Sequence, residues 1–251
     1  LRLLFGPGPP VSIRFGGYQA RIMGRILAVG FTPFAIIAVD NIMIIAMNMV
    51  LQQYGGPGRG DLLVTCATIT QSFMLVVTMP LGGISGGTQS ILSYNYGAKH
   101  IRRVRQAQRR IIGLCVGYAA ILQLLAWVAG PAFVRLFTAD AEVAREAVRA
   151  IRVCTLMLLP LGVQYEIVDG FTAMGLVRYS LPLSFWRKFV YFVALFVCPA
   201  LFGAQAAFFA EPISDLLGPI VTVTVYLIAM RPVLKRRLLA PEPAETQGET
   251  G

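Results

Sequence analysis

The chain has 251 residues, 56% hydrophobic and only 14% charged, with a mean hydropathy of +0.68 and a formal net charge of +10. An ordinary soluble domain carries about 25% charged residues, and the apolar residues here come in long blocks, so a water-soluble fold is excluded. The basic residues sit between those blocks and not on an aromatic-interleaved surface, which makes them markers of membrane topology and excludes a nucleic-acid partner.

Residues 1–25 read as a cytoplasmic leading segment. They mix Gly, Pro and Arg without the apolar core of a signal peptide, as if the chain were cut from something longer. A helix needs about 20 residues to cross the hydrocarbon, and six spans are predicted within residues 26–237. The first covers about Ile26–Leu51 and ends at Gln52-Gln53-Tyr54-Gly55-Gly56-Pro57. The second covers Leu62–Leu92, the third Ile111–Phe133, the fourth Arg152–Val177, the fifth Leu181–Phe202 and the sixth Phe208–Met230. Residues 238–251 form a polar tail expected to be disordered and cytoplasmic. The fold class is therefore all-α, a polytopic membrane protein.

Charge placement orients these spans. The leading segment, Lys99–Arg110, Arg178–Lys188 and Arg231–Arg237 share one face and hold 17 of the 22 Lys and Arg. The Lys/Arg excess marks the cytoplasmic side, so both ends of the chain are expected there. On the other face, Arg145, Arg149 and Arg152 with Glu142 and Glu146 fit a short amphipathic helix that continues into the fourth span.

Polar groups inside spans are expensive and point to function. The first span holds Asp40, Asn41 and Asn48; a mid-span Asp needs a proton, a cation or a basic partner. The second holds Gln71, Pro80 and the small-residue pairs Gly82/Gly86 and Gly83/Gly87, whose spacing suits close helix packing, with Pro80 as a flexible point. The fourth holds Gln164, Tyr165, Glu166 and Asp169. Glu166 and Asp169 lie three apart on one helix face, a stripe that Thr172 would continue. They would bind a cation or share a proton, or else reach cytoplasmic water where the helix ends. The sixth begins Glu211-Pro212-Ile213-Ser214-Asp215. There Pro219 leaves the Asp215 carbonyl without its helical donor and invites a kink, while Glu211 fits either the cavity or the headgroup level. Cys66, Cys115, Cys154 and Cys198 form no CxxC pair and read as small buried hydrophobes. His100 reads as a solvated loop residue. No nucleophile elbow, Walker loop, HExxH or dinucleotide fingerprint is present. No catalytic residue, metal or organic cofactor is expected, and the chain is not an enzyme.

The run Gly87-x-Gln89-x-Ile91-x-Ser93-Tyr94-Asn95-Tyr96-Gly97-Ala98 followed by Arg103-Val104 resembles the end of the eighth helix of bacterial MATE (multidrug and toxic compound extrusion) transporters. Three other pieces agree in order. Asn48 through Tyr54-Gly55-Gly56 is similar to the end of that family's seventh helix. Leu136-Phe137-Thr138 with Asp140 is similar to its turn between helices nine and ten, and Pro212-Ile213-Ser214-Asp215-Leu216 to the start of helix twelve. Arg187-Lys188 sits where the family often places a basic residue.

The resemblance covers about Gly24 to Arg237. It implies the C-terminal six-helix lobe of a twelve-helix fold in the bacterial inner membrane, with the N-terminal six-helix lobe as a missing partner. The implied activity is export of small cationic or amphipathic substrates coupled to Na⁺ or H⁺ entry. Candidate ion or substrate ligands are Asp40, Asn41, Gln71, Glu166, Asp169 and Asp215, with Arg187 as a basic cavity residue and Gln89, Ser93, Tyr94, Asn95, Tyr96 and Gly97 as the family motif. The alternatives are a lipid-linked oligosaccharide flippase of the wider superfamily, which would need a more basic cavity, and a non-transporting membrane fragment. The orientation is testable: a cysteine at His100→Cys should resist impermeant thiol reagents added from outside intact cells, and fast labelling would invert the topology.

Overall fold

Long apolar runs that lack closely spaced breakers wind into helices, which hydrocarbon favours because each satisfies its own backbone hydrogen bonds. The computed structural model describes residues 19–239, and among them there is no strand. Helix α1 spans Ala20–Gly55, α2 Arg59–Gly97, α3 Ile101–Arg135, α4 Ala141–Cys154, α5 Leu158–Ala173, α6 Val177–Phe202 and α7 Ala210–Leu239, with a 3₁₀ segment at Ala204–Phe209 leading into α7. Among the described residues, five helical segments are long and apolar enough to cross a membrane. A sixth crossing results if α4 and α5, bent by 51° at their junction, act as one broken span. A structural division falls inside α1: its residues up to Val39 belong to one unit, and those from Asp40 onward to the helical lobe described below. The leading segment to residue 18 and the tail from residue 240 lie outside the described residues.

Two sequence expectations need correction. Several helices outrun the predicted spans: α1 begins at Ala20 and α3 at Ile101, while α7 runs to Leu239, into the stretch expected to be disordered. Hydropathy marks where a helix lies in hydrocarbon and not where it ends. The arginine-rich start of α3 keeps a helical inward face of Val104, Gln108, Ile111 and Cys115, all buried, spaced three and four apart. The second correction is that the amphipathic helix does not continue into the fourth span. Asp140 caps α4 by accepting from the Glu142 and Val143 amides at 2.7 and 3.2 Å, and α4 stops at Cys154. Pro160 has no amide hydrogen for the Leu156 carbonyl, and its ring crowds that carbonyl, which favours a break there.

In the lobe, α5 is the central element. It packs against α2, α3, α6 and α7, and α6 and α7 pack extensively on each other. The core brings together Leu81, Leu92, Cys115, Ile167, Phe171, Leu183 and Met230, among others. On α1, Met43, Met47, Val50 and Leu51 are buried on one face. A glycine sits at one close crossing: a Cβ on Gly162 would lie 3.1 Å from the Cys115 carbonyl oxygen, so this glycine lets α5 approach α3.

The prolines do not simply break helices. Pro80 leaves the Val76 carbonyl without its helical donor, and Tyr118 Oη donates to it at 3.2 Å. Pro131 does the same to Trp127, whose carbonyl accepts from Arg152 at 3.5 Å. Gln123 Nε2 donates to Leu156, opened by Pro160, at 3.2 Å, and Cys154 Sγ donates to Phe208, opened by Pro212, at 3.6 Å. Each donor comes from a neighbouring element, so α2 runs unbroken through Pro80; α7 likewise runs through Pro219 and Pro232 as one helix. Tyr118→Phe keeps the ring and deletes the donor. It should cost about 1 kcal/mol, read as a lower midpoint of thermal unfolding in detergent with no change in helical content; an unchanged midpoint would show that the Val76 carbonyl needs no such donor.

Candidate functional site

Arg187 and Lys188 are consecutive on α6, so their side chains diverge by roughly 100° and face different helices. The helix starts at Val177, which carries both about 15 Å along its axis, well inside the span. Arg187 Nη1 donates to Asp215 Oδ1 on α7 at 3.1 Å, and Asp215 is fully buried. Lys188 Nζ donates to Asp40 Oδ1 on α1; the lysine is 4% exposed and Asp40 47%. Glu211 lies one turn before Asp215 on the same face of α7, within electrostatic reach of Arg187, Asp40 and Lys188. Tyr165 on α5 feels the same charges. Two cations thus face three carboxylates, and one carboxylate lacks a counter-charge when all are ionised.

A glycine gives this cluster room. A Cβ on Gly218 would lie 2.7 Å from Gln164 Oε1 and 3.0 Å from Arg187 Cγ, so a larger residue there would push Gln164 and the Arg187 stem aside. Beside the cluster is a cavity of about 70 Å³ whose walls include Thr70, Gln71, Tyr191 and Glu211. A water needs roughly 10–15 Å³ of such space and two to four polar partners, so the cavity has room to hydrate Glu211.

A second constellation lies among α2, α3, α5 and α7. Glu166 is 0% exposed, and neither carboxylate oxygen has a hydrogen-bond partner among the described residues. Three residues on, Asp169 accepts from Ser85 Oγ, with Gln89 beside it. Gln108 Oε1 accepts from Tyr226 Oη at 3.1 Å, while Gln108 Nε2 is buried without an acceptor. A buried ionised carboxylate without a partner is prohibitively costly, so an ionised Glu166 in this setting would need a cation. Thr172 is exposed and does not extend the pair.

The candidates from sequence therefore part company. Asp40, Asp215 and Arg187 are engaged in ion pairs; Glu166 and Asp169 sit together on α5; Gln71 lines the cavity with Glu211; Asn41 is exposed. The family-motif run is the end of α2. Asn95 Nδ2 donates to the Ile91 carbonyl at 2.8 Å and Ser93 to Ser90 at 3.1 Å. Arg237 from α7 donates to the Tyr96 and Gly97 carbonyls at 3.1 and 3.0 Å and lies over the Tyr96 ring. It gives the Gly97 carbonyl a donor at the helix end and adds a second to the Tyr96 carbonyl, which also accepts from the Lys99 amide at 3.2 Å. Tyr94 is exposed, and Gln89 reaches inward toward Asp169.

Sequence reasoning did not assign Lys188 to Asp40, and it missed Ser85, Gln108, Tyr226 and Arg237. Two adjacent cations deep in a span demand two acidic partners, a signal that points to Asp40 and Asp215. Ser85, Gln108 and Tyr226 carry no such signal, because each is an ordinary helix residue until α5 packs against it. Arg187→Leu alone should destabilise the purified chain by about 3 kcal/mol or more, because it strands a buried Asp215. Arg187→Leu with Asp215→Leu should recover most of the loss. Thermal unfolding of the three proteins checks this, and a double variant no more stable than the single one would deny that the pair is the reason.

A family model described as MatE matches residues 37–198. The chain is 23% identical over 196 residues to the multidrug export protein MepA of Staphylococcus haemolyticus (strain JCSC1435), covering 77% of this chain and 42% of the relative. Its fold is similar to a crystal structure of MATE in the bent conformation, with a TM-score of 0.81 at 16% identity over 94% of this chain and 53% of that one. It is also similar to an outward-facing multidrug resistance MATE family transporter of the MOP superfamily, with a TM-score of 0.78 at 17% identity over 92% and 50%. The chain thus spans about half the length of these relatives. With the matched segment running from α1 to α6 and the helical lobe superposing on half of the transporter fold, the chain belongs to the MatE family of multi-pass membrane proteins.

Proposed function

We propose that this chain is the C-terminal half of a secondary active exporter in the bacterial inner membrane. The exporter carries small cationic or amphipathic compounds outward in exchange for inward H⁺ or Na⁺. Family membership supports transport as the activity, and the relative's name, multidrug export protein, supports the substrate class. The observation that carries ion coupling is Glu166, fully buried and without a hydrogen-bond partner beside Asp169 on the central helix. Such a carboxyl exchanges its proton or cation only when the helices around it part, which is the property a coupled exporter needs. Four helices contribute to its surroundings, so a change in their packing alters its access to water.

The excess of three carboxylates over two cations around Arg187 points the same way, toward cationic occupants. It gives no support to the flippase reading. An anionic lipid-linked substrate needs uncompensated positive charge, whereas Arg187 and Lys188 each bond a carboxylate.

In the full-length protein, Glu166→Gln and Asp169→Asn should each slow efflux of a cationic dye by about tenfold at unchanged membrane abundance. Unchanged efflux in both would remove the α5 pair from the coupling site. The same host expressing residues 1–251 alone distinguishes a self-sufficient half from a non-transporting fragment.

A further inference from the structure

Between Asp61 and Asp140 the sequence contains no acidic residue, yet it holds Lys99, Arg102, Arg103, Arg105, Arg109 and Arg110 within twelve positions. Helix α3 begins at Ile101, so these arginines stand on a rigid helix and not in a floppy loop. Arg102, Arg105, Arg109 and Arg110 line a groove of about 810 Å³ with Ile101 and Gln106. A neighbouring groove of about 610 Å³ shares Arg102 and Gln106 and adds Lys99 and Arg103. No carboxylate lines either groove among the described residues, and none of these arginines makes a salt bridge there. The transport chemistry described above does not use them.

The same face of α3 continues directly into the membrane. Arg110, Leu114, Gly117, Ile121, Leu124 and Val128 follow one another at helical spacing, and all are exposed. Gly113 and Gly117 lie four apart, and a Cβ at either would meet nothing within 4 Å. They leave a shallow furrow between the arginines and the apolar residues beyond. A ligand that fits this surface has an anionic head for the guanidiniums and an apolar chain for the furrow. Arginine donors hold phosphate oxygens in charge-assisted, often bidentate bonds. Basic clusters beside a membrane span recognise anionic lipid headgroups.

We propose that the outward face of α3 is a binding site for an anionic phospholipid. Its phosphate is held by Arg102, Arg109 and Arg110, and one acyl chain lies along Gly113, Gly117 and Ile121. A soluble anion would gain nothing from the furrow, and a zwitterionic lipid would bring its own cation against the arginines. The site is independent of the α5 carboxylates, so its failure leaves the transport reading untouched.

Native mass spectrometry of the full chain released from detergent tests this, with dioleoylphosphatidylglycerol and dioleoylphosphatidylcholine as probes and inorganic phosphate as competitor. Phosphatidylglycerol should bind about tenfold more tightly than phosphatidylcholine, and Arg109→Gln with Arg110→Gln should erase that preference. Gly117→Leu, which fills the furrow and keeps every charge, should also weaken phosphatidylglycerol binding. Arg231→Gln with Arg236→Gln, two exposed arginines on α7 outside both grooves, should leave the preference intact. Equal binding of the two lipids would overturn the proposal, as would an equal loss from the α7 variant, which would mean diffuse charge attraction. Full displacement of the lipid by inorganic phosphate, with no effect of Gly117→Leu, would mean a free-anion site instead.

Discussion

Every polar group that enters hydrocarbon must find its partner inside the protein, because a bare carbonyl or charge there costs several kcal/mol. This constraint organises the lobe. Prolines open the carbonyls of Val76, Trp127, Leu156 and Phe208, and Tyr118, Arg152, Gln123 and Cys154 close them from neighbouring elements. The same rule binds Arg187 to Asp215 and Lys188 to Asp40. Helix packing and polar satisfaction are one problem in this protein: each donor is available only if its helix sits at the right height against the next.

Two carboxyls depart from this rule. Among the described residues, Glu166 is buried without a hydrogen-bond partner and Asp215 keeps one oxygen unpaired. Glu166 lies among α2, α3, α5 and α7, whereas Asp215 lies where α7 meets Arg187 of α6, with Gly218 leaving room there for Gln164 and the Arg187 stem. In the proposed exporter, a change in how these helices pack would alter the hydration of the two carboxyls. The break between α4 and α5 sets how α5 enters the core. It ends the amphipathic helix at Cys154 and lets the carboxylate-bearing α5 enter the core at its own angle, bent by 51°.

Much of this was legible in the residues. Apolar blocks marked the membrane class, the Lys and Arg distribution marked one basic face, and the motif ending at Gly97 pointed to the family. The acidic candidates Asp40, Glu166, Asp169 and Asp215 were visible because a carboxylate in an apolar run is conspicuous by itself. Ser85, Gln108 and Tyr226 were not. Hydroxyls and amides are tolerated on any helix face, and their meaning appears only when a carboxylate or another amide packs against them. Arg237 was equally hidden: it reads as one of several terminal cations, yet it closes the end of α2, 140 and more positions earlier.

The sequence by itself determined the all-α membrane class, the approximate spans and the family, because hydropathy, helix periodicity and local motifs are properties of consecutive residues. Only the tertiary structure decided which carboxylates are paired and which are left over. Lys188 and Asp40 are 148 residues apart, and Ser85 and Asp169 are 84 apart. Whether an intramembrane charge is a structural clamp or a working group depends on what faces it across a helix interface, and no local pattern of residues encodes that.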